Sequence, residues 1–244
     1  MTHKTRALVL RTVRYGETSV IVTAFTELFG VQAYLINGVR TAKQGGKLSY
    51  YQPGALLDLV VYHTPQKNLQ RIRDGQWSIL LPDLFGHVIK NCVVLFQAEL
   101  LLKCLKQPEP HPDLFVFCVD FLTQLHTADA TETANMPLYF SLQLANLMGF
   151  QLDAAEFEQG MHLDIWEGCF TFNMPKHPHV TDATEAAAFA AILQARTLAD
   201  LGAVSLQQSM RHRLLHWMTV FYALHVPDFG ELKTLPVLQA IMRG

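Results

Sequence analysis

Basic residues spaced for one face of a β-strand have the clearest chemical potential in this sequence. Arg71 and Arg73 are two positions apart, so a strand would present both on one face while Ile72 points the opposite way. Fixed cations on such a face displace the counterions that condense on a phosphate backbone. The spacing therefore predicts a surface for a polyanion, with a solvated strand face as the alternative.

Further cations precede this pair in the chain. By the same alternation, Arg11 would share a strand face with Val9 and Val13. A charged, Gly-rich stretch from 40 to 47 would let long cationic side chains follow an irregular phosphate backbone. The complete set of predicted DNA-binding residues is Arg11, Arg14, Arg40, Lys43, Lys47, Arg71 and Arg73.

Aromatic residues lie between these cations in the sequence. Tyr34, Tyr50 and Tyr51 are candidates for exposed rings on the same curved surface. Basic residues with exposed aromatics are typical of proteins that bind single strands, because bases stack on the rings while cations contact the backbone.

Motifs for bond-making chemistry are absent from the sequence. It contains no Gly-x-Ser-x-Gly elbow and no Gly-rich phosphate loop ending in Gly-Lys-Ser/Thr. We therefore expect no catalytic residue and no cofactor. An enzyme pocket remains an alternative, and its candidates are His87, His126, His162 and Asp164.

Metal-ligand spacing is also absent, so we expect no metal. No two of the four cysteines form a Cys-x-x-Cys pair, and they are interpreted as buried thiols: Cys92, Cys104, Cys118 and Cys169. His212 and His216 lack the glutamate of a zinc-protease motif between them and are interpreted as ordinary helix residues. His177 and His179 are interpreted as loop surface.

Composition favours a folded protein without a membrane span. The chain has 244 residues, of which 50% are hydrophobic and 16% charged, unlike a disordered sequence. The longest uncharged stretch, residues 133–152, contains Asn135, Pro137 and Gln143, which a lipid-facing helix would not tolerate together. The sequence begins Met1-Thr2-His3-Lys4 and continues into alternating residues, without the apolar core or cleavage site of a signal peptide, so we expect a cytoplasmic protein.

Charge is divided along the chain. Residues 1–80 contain ten basic residues (Lys and Arg) and four acidic residues (Asp and Glu), a net charge of +6. Residues 81–244 contain nine basic and seventeen acidic residues, a net charge of −8. A basic module attracts polyanions from a distance, and an acidic module keeps the chain soluble. Chance variation between small domains is the alternative.

Hydrophobic periodicity changes at about the same place. Short alternating runs predict five strands, which suit a small closed barrel of the OB type at 1–80: 5–13, 19–26, 31–36, 55–62 and 69–77. Helical periodicity then predicts an all-helical domain at 83–244: 83–106, 113–125, 137–148, 184–198, 205–225 and 232–242. Ser205 and Gln208 have capping-box spacing, and a β-hairpin is predicted at about 162–173.

Three segments near the N-terminus carry a specific combination of motifs: Val9 to Ser19 with its Tyr-x-Glu-Thr turn, Phe25 to Gly30, and Asn37 to Arg40 with its Gly-x-Arg exit. Together these segments resemble the N-terminal signature of the RecO family of bacterial recombination mediators. Residues 144–150 and 211–241 are similar to the family's internal Leu-Gly-aromatic segment and its C-terminal end.

The resemblance implies a specific set of activities and partners. It implies an OB-fold followed by helices, binding of single- and double-stranded DNA, and annealing of complementary strands. It also implies loading of RecA, together with RecR, onto DNA covered by single-strand-binding protein, whose acidic C-terminal tail would dock on the helical domain. Such a protein would be associated with the bacterial nucleoid, and Arg40 and Lys43 would contact DNA.

The sequence departs from the family pattern where many members carry a four-cysteine zinc ribbon. Between Gln151 and Phe172 it has Cys169 alone, so we expect a hairpin held by packing without zinc. The packing residues would be Ile165, Trp166, Phe170 and Phe172. An adaptor that binds acidic peptide tails, rather than DNA, remains the alternative function.

Overall fold

The computed structural model describes residues 2–39, 45–150 and 152–242, without the side chains of 45–47. Contacts divide the chain into two compact units, Met1–His126 and Thr127–Gly244. Three helices that follow the strands belong to the first unit, so this division lies beyond the change of periodicity near residue 80. The domain boundary expected at 80–83 stays a prediction.

The first unit contains a closed five-stranded barrel. Its strands are β1 (Thr2–Tyr15), β2 (Ser19–Thr26), β3 (Gly30–Ile36), β4 (Leu56–Tyr62) and β5 (Leu69–Ile79). They close in the order β1-β2-β3-β5-β4, with β3 and β5 parallel and every other pair antiparallel. The predicted OB-type barrel is confirmed.

Mostly aliphatic side chains fill the barrel interior. Val9, Val22, Leu59 and Val61 are among its buried residues, in the alternating pattern of strands that have one face inward. Tyr34 lies fully buried among them. Its prediction as an exposed ring is wrong, because it lies on the inward face of β3.

Three register shifts interrupt this alternation among the described strands, and two of them lie beside predicted cations. One falls between Val9 and Arg11 on β1. The other lies on β5, where Ile72 pairs with Val61 and Asp74 pairs with Val60, so Arg73 is the additional residue. A bulge shifts the following side chains to the opposite face of the strand, so these two bulges affect the predicted cations.

Helices α1 (Asp83–Gly86), α2 (Val88–Cys104) and α3 (Pro112–Thr127) complete the first unit. The single helix predicted from 83 to 106 is interrupted at His87, whose backbone is extended. Burial on most sides of α2 agrees with its predominantly apolar sequence. Phe115 of α3 packs edge-on against Phe25 of the barrel, with ring centroids 5.5 Å apart.

The second unit contains five helices within the described residues: α4 (Ala130–Leu147), α5 (Ala183–Gln194), α6 (Leu198–Ala203), α7 (Gln208–His225) and α8 (Thr234–Ile241). The predicted hairpin is confirmed as β6 (His162–Asp164) and β7 (Cys169–Thr171). In the described part of the chain, no helix is sufficiently long and apolar to cross a membrane.

Capping residues explain where the helix predictions failed. Asp129 and Glu132 form a capping box that begins α4 before Pro137, the predicted start. Thr197 caps the separate helix α6, so the helix predicted over 184–198 ends early. The capping box predicted at Ser205 and Gln208 is wrong, because α7 begins at Gln208 without a side-chain cap.

Candidate nucleic-acid interface

Arg71 is flanked by two side chains on the outer face of the barrel. Its partners across the neighbouring strands are Leu35 of β3 and Tyr62 of β4. Residues directly opposite one another project from the same face. Arg71 and Tyr62 are exposed, and Leu35 is half-buried, so a cation, an aromatic ring and an aliphatic side chain form one row across three strands.

A groove of about 550 Å³ contains this row and is called the arginine groove below. Arg71, Arg73 and Asp74 supply its charged side chains, and Tyr50, Tyr51 and Tyr62 supply its rings. Burial is the main reason why the pKa of Tyr51 is raised, and the Asp74 carboxylate adds to the effect. Two predicted arginines and two predicted tyrosines are therefore brought together.

Two contacts position Tyr50 and Tyr51. The hydroxyl of Thr12 on β1 donates a hydrogen bond to the backbone oxygen of Tyr51. The Tyr50 ring stacks on Trp77 of β5, with ring centroids 5.2 Å apart. These contacts attach the end of the 3-10 helix Gly45–Tyr51 to the barrel.

The bulge on β5 determines how Arg73 and Asp74 are presented. Ile72 packs against the barrel core, as predicted, while Arg73 and Asp74 are both exposed. Gly75 returns to the inward side, where an added Cβ would lie 2.9 Å from a Leu59 methyl carbon. The bulge thus places a carboxylate next to Arg73 in the arginine groove.

Arg11 projects from the outer surface of the barrel, as Arg71 does, but Arg14 does not. Arg11 pairs with Thr23, whereas Arg14 pairs with Val20, whose side chain is in the barrel core. The bulge at Leu10 also removes Val9 from the face of Arg11, so that part of the prediction is wrong. In the closed barrel, β4 separates β1 from β5 on one side and β2 and β3 separate them on the other, so the structure does not bring Arg11 into the groove of Arg71 described above.

The described arginines of the predicted site have no ion-pair partners among the described residues, so their charges are available to a ligand. Among the described residues, no carboxylate forms an ion pair with any of them: Arg11, Arg14, Arg71 and Arg73. Arg40 and Lys43 lie outside the described residues, as does the side chain of Lys47. The predicted site is therefore described at four of its seven positions.

A second groove of about 580 Å³ on the barrel carries both signs of charge, and we call it the mixed-charge groove. Arg73 and Asp74 also line this groove, together with Lys4, Asp58 and Glu27. Arg6 of β1 forms an ion pair with Glu27 at 2.7 Å, and its guanidinium lies 5.3 Å from the ring centre of Phe115. This pairing makes Arg6 a structural cation.

Family models match both parts of the chain. The model described as Recombination protein O N terminal matches residues 1–79, and the model described as Recombination protein O C terminal matches residues 88–236. The chain belongs to the RecO family. Its barrel and its helical region correspond to the two family models, which confirms the resemblance found in the sequence.

RecO proteins of several bacteria are similar to the chain over most of its length. The DNA repair protein RecO of Azobacteroides pseudotrichonymphae is 26% identical over 99% of both chains, as is that of Phocaeicola vulgatus. The RecO protein of Salinibacter ruber is 33% identical over a shorter region, covering 60% of this chain and 55% of that protein.

The hairpin of β6 and β7 is held by polar bonds and by part of the predicted packing. Ile165 is buried and Phe170 packs on Phe157, but Trp166 and Phe172 are 50% and 56% exposed. Both therefore bury less of their surface than the packing prediction implies: Trp166 lies in the turn between the two strands, where its ring contacts His177 and His179, and Phe172 follows β7. Buried Asp164 instead accepts backbone hydrogen bonds from Trp166 and Glu167.

The second carboxylate oxygen of Asp164 lies 3.3 Å from Nε2 of His177. His177 and His179 are half-buried, and their rings lie within 6 Å of Trp166, so they are not simply loop surface. Within the described residues, no group of three His, Cys, Asp or Glu side chains could hold a metal ion.

The prediction that all four cysteines are buried is correct at three positions. Cys92, Cys104 and Cys118 are buried, and burial raises the pKa of Cys104 to about 12. Cys169 is exposed on β7, so its prediction as a buried thiol is wrong. His212 and His216 lie within α7, as predicted.

Sequence reasoning missed Tyr62 and Asp74. Tyr62 ends a strand and is 46% exposed, but its position beside Arg71 depends on the β4–β5 register. Asp74 turns outward because of the bulge. A tyrosine at the end of a strand in a basic segment is a sequence signal that could have identified Tyr62. No sequence signal identifies Asp74, because its outward position depends on the pairing with the partner strand.

Proposed function

We propose that the chain binds DNA through the outer face of its barrel and acts in repair without making or breaking a covalent bond. The observation that carries this proposal is the pair Arg71 and Arg73, exposed and without ion-pair partners among the described residues. Membership of the RecO family supports it, because the relatives are named DNA repair proteins.

Annealing follows from the same charges. Two strands repel each other through their phosphates, and fixed cations reduce that repulsion while the base edges remain free to pair. Phosphate contacts are available on single and double strands alike, so both are proposed ligands. Arg11, on a strand that does not neighbour β5, is proposed to contribute a further phosphate contact, as are Arg40, Lys43 and Lys47.

We propose that the chain acts in the bacterial cytoplasm, at the nucleoid. There the chain would act with RecR to load RecA onto DNA coated with single-strand-binding protein. Family membership is the support for these partners. The tail of single-strand-binding protein is proposed to dock on the helical region, without assigned residues.

The salt dependence of binding tests the DNA proposal. A labelled single-stranded oligonucleotide is titrated with the native chain and with the double variant Arg71→Ala/Arg73→Ala at several salt concentrations. Each phosphate contact contributes about 0.7 to the slope of log affinity against log salt for single strands. We expect the double variant to bind more weakly, with a slope smaller by about 1.4.

Arg196→Ala provides the matched control, because Arg196 is an exposed arginine in the second unit. Its slope should equal that of the native chain. An unchanged slope in the double variant would exclude Arg71 and Arg73 as phosphate contacts. Salt-dependent binding of an acidic peptide without binding of the oligonucleotide would instead favour the adaptor function.

A further inference from the structure

Tyr62 combines exposure with a fixed position in the arginine groove. It ends β4 and lies directly opposite Arg71 of β5, a pairing that places the two Cβ atoms about 4.5–5.5 Å apart. Because both strands belong to the closed barrel, this spacing does not depend on a loop conformation.

The Tyr62 ring also differs from the other two rings of the groove. Tyr50 is stacked on Trp77, and burial of Tyr51 raises the pKa of its hydroxyl. Within the described residues, Tyr62 stacks on no other ring, and 46% of its surface is exposed. A face of this ring is therefore available to a flat ligand group.

We propose that Tyr62 stacks on an unpaired base and makes the arginine groove favour single strands over duplexes. The proposal rests on the proposed function, because it requires a DNA backbone at Arg71. Phosphate at the guanidinium and base on the neighbouring ring are the two recognition elements of a single-strand site.

The preference follows from what each form of DNA exposes. A duplex offers its phosphates to Arg71, but its bases are stacked on one another and their faces cannot reach a side chain. An unpaired strand can turn one base onto the ring and gain the additional contact. Stacking uses the face of the base and leaves its pairing edge free, so the contact is compatible with annealing.

The test compares single-stranded and duplex oligonucleotides of one sequence. Both are titrated at one low salt concentration with the native chain, Tyr62→Ala and Tyr62→Phe. We expect Tyr62→Ala to lose about tenfold in affinity for the single strand, as for removal of one stacked aromatic, and to stay within about twofold for the duplex. Tyr62→Phe retains the ring and should bind like the native chain.

An abasic strand separates stacking from backbone contact. With no base to stack, the native chain and Tyr62→Ala should bind this strand equally. Phe172→Ala serves as a control, because Phe172 is an exposed aromatic residue beside the hairpin of the second unit. It should leave all three affinities unchanged.

The outcomes distinguish this proposal from the one on which it rests. If the native chain binds no oligonucleotide, the proposed function fails. If it binds, but Tyr62→Ala weakens single strand and duplex equally or changes neither, the stacking role of Tyr62 is overturned while the DNA-binding function stands.

Discussion

Asp74 places a negative charge in the arginine groove, beside the positive charges of Arg71 and Arg73. Its carboxylate accepts a hydrogen bond from the Gly75 backbone at 2.9 Å, which keeps it beside the bulge at Arg73. An anion in a site for phosphate weakens binding by repulsion, so Asp74→Asn should strengthen oligonucleotide binding. The gain should be about two- to fivefold at low salt, because interactions of exposed charges are worth less than about 1 kcal/mol.

Asp58→Asn is the control for this substitution. Asp58 is also an exposed barrel carboxylate, but it lines the mixed-charge groove and not the arginine groove. Fluorescence titration of a labelled single strand should show a larger gain for Asp74→Asn than for Asp58→Asn. Equal gains would mean that only the net charge of the chain matters.

The ion pair of Arg6 and Glu27 should make stability depend on pH. The hydrogen bond from the Arg6 guanidinium is the main cause that lowers the pKa of Glu27 below its ordinary value of 4.5. The pair's contribution is therefore complete above pH 4.5 and is lost as the pH falls through the lower pKa of the folded state. Both side chains are partly exposed, so the pair contributes less than about 1 kcal/mol.

Thermal unfolding of Glu27→Gln measures this contribution. At pH 7 the variant should melt below the native chain by at most about 4 °C, and the difference should close at acid pH as native Glu27 becomes protonated. Glu17→Gln, at an exposed position in the β1–β2 turn, should melt like the native chain at both pH values. A difference for Glu27→Gln that is independent of pH would contradict the assignment.

The side chains of the site differ in how far the sequence predicts them. Alternation correctly predicts Arg71 and Arg73 outside and Ile72 inside. It does not predict that Asp74 is also outside, because a bulge depends on the partner strand. Tyr34 illustrates the reverse error, since a tyrosine in a basic segment suggests exposure although the register of β3 buries it.

At the scale of elements, Gly30 is a point of close approach between the barrel and the chain that connects α2 and α3. Its φ is +62°, and an added Cβ would overlap the backbone carbonyl of Glu109. Gly16 has a φ of +60° but open space around it. A side chain at Gly16 would therefore introduce backbone strain alone, whereas a side chain at Gly30 would introduce the same strain and a collision with Glu109.

Alanine substitution at both positions tests this difference. Gly16→Ala should destabilise by about 1–2 kcal/mol, the cost of a left-handed residue with a Cβ. Gly30→Ala carries the same strain and must also displace the Glu109 backbone, so its loss should exceed 3–4 kcal/mol, an exceptional value for one substitution. Denaturant unfolding measures both, and equal losses would show that the approach of Glu109 relaxes without cost.

Strands were predicted more accurately than helix limits, for a physical reason. The five strand segments have short alternating runs between turn residues, so periodicity locates each of them. Helix ends depend on individual caps, such as Asp129 before α4 and Thr197 before α6. Apolar periodicity does not contain that information, and Pro137 inside α4 further obscured the true start.

At the scale of the whole molecule, the separation of charge persists when the chain is divided by compactness. Residues 1–126 contain thirteen basic and nine acidic residues, a net charge of +4, and residues 127–244 contain six and twelve, a net charge of −6. The unit with the arginine groove therefore has the sign that attracts DNA. The helices added to the first unit reduce its charge without reversing it.

This electrostatic attraction should control the rate at which complementary strands anneal. Arg71→Ala/Arg73→Ala should slow annealing at low salt, because two fewer cations offset the repulsion between phosphates. The deficit should close near 1 M salt, where the screening length falls to about 3 Å from about 10 Å at 0.1 M. Quenching of a fluorophore on one strand by its labelled complement measures the rate, and Arg196→Ala should match the native chain throughout. Equal rates for the native chain and the double variant at low salt would place the annealing charges elsewhere on the molecule.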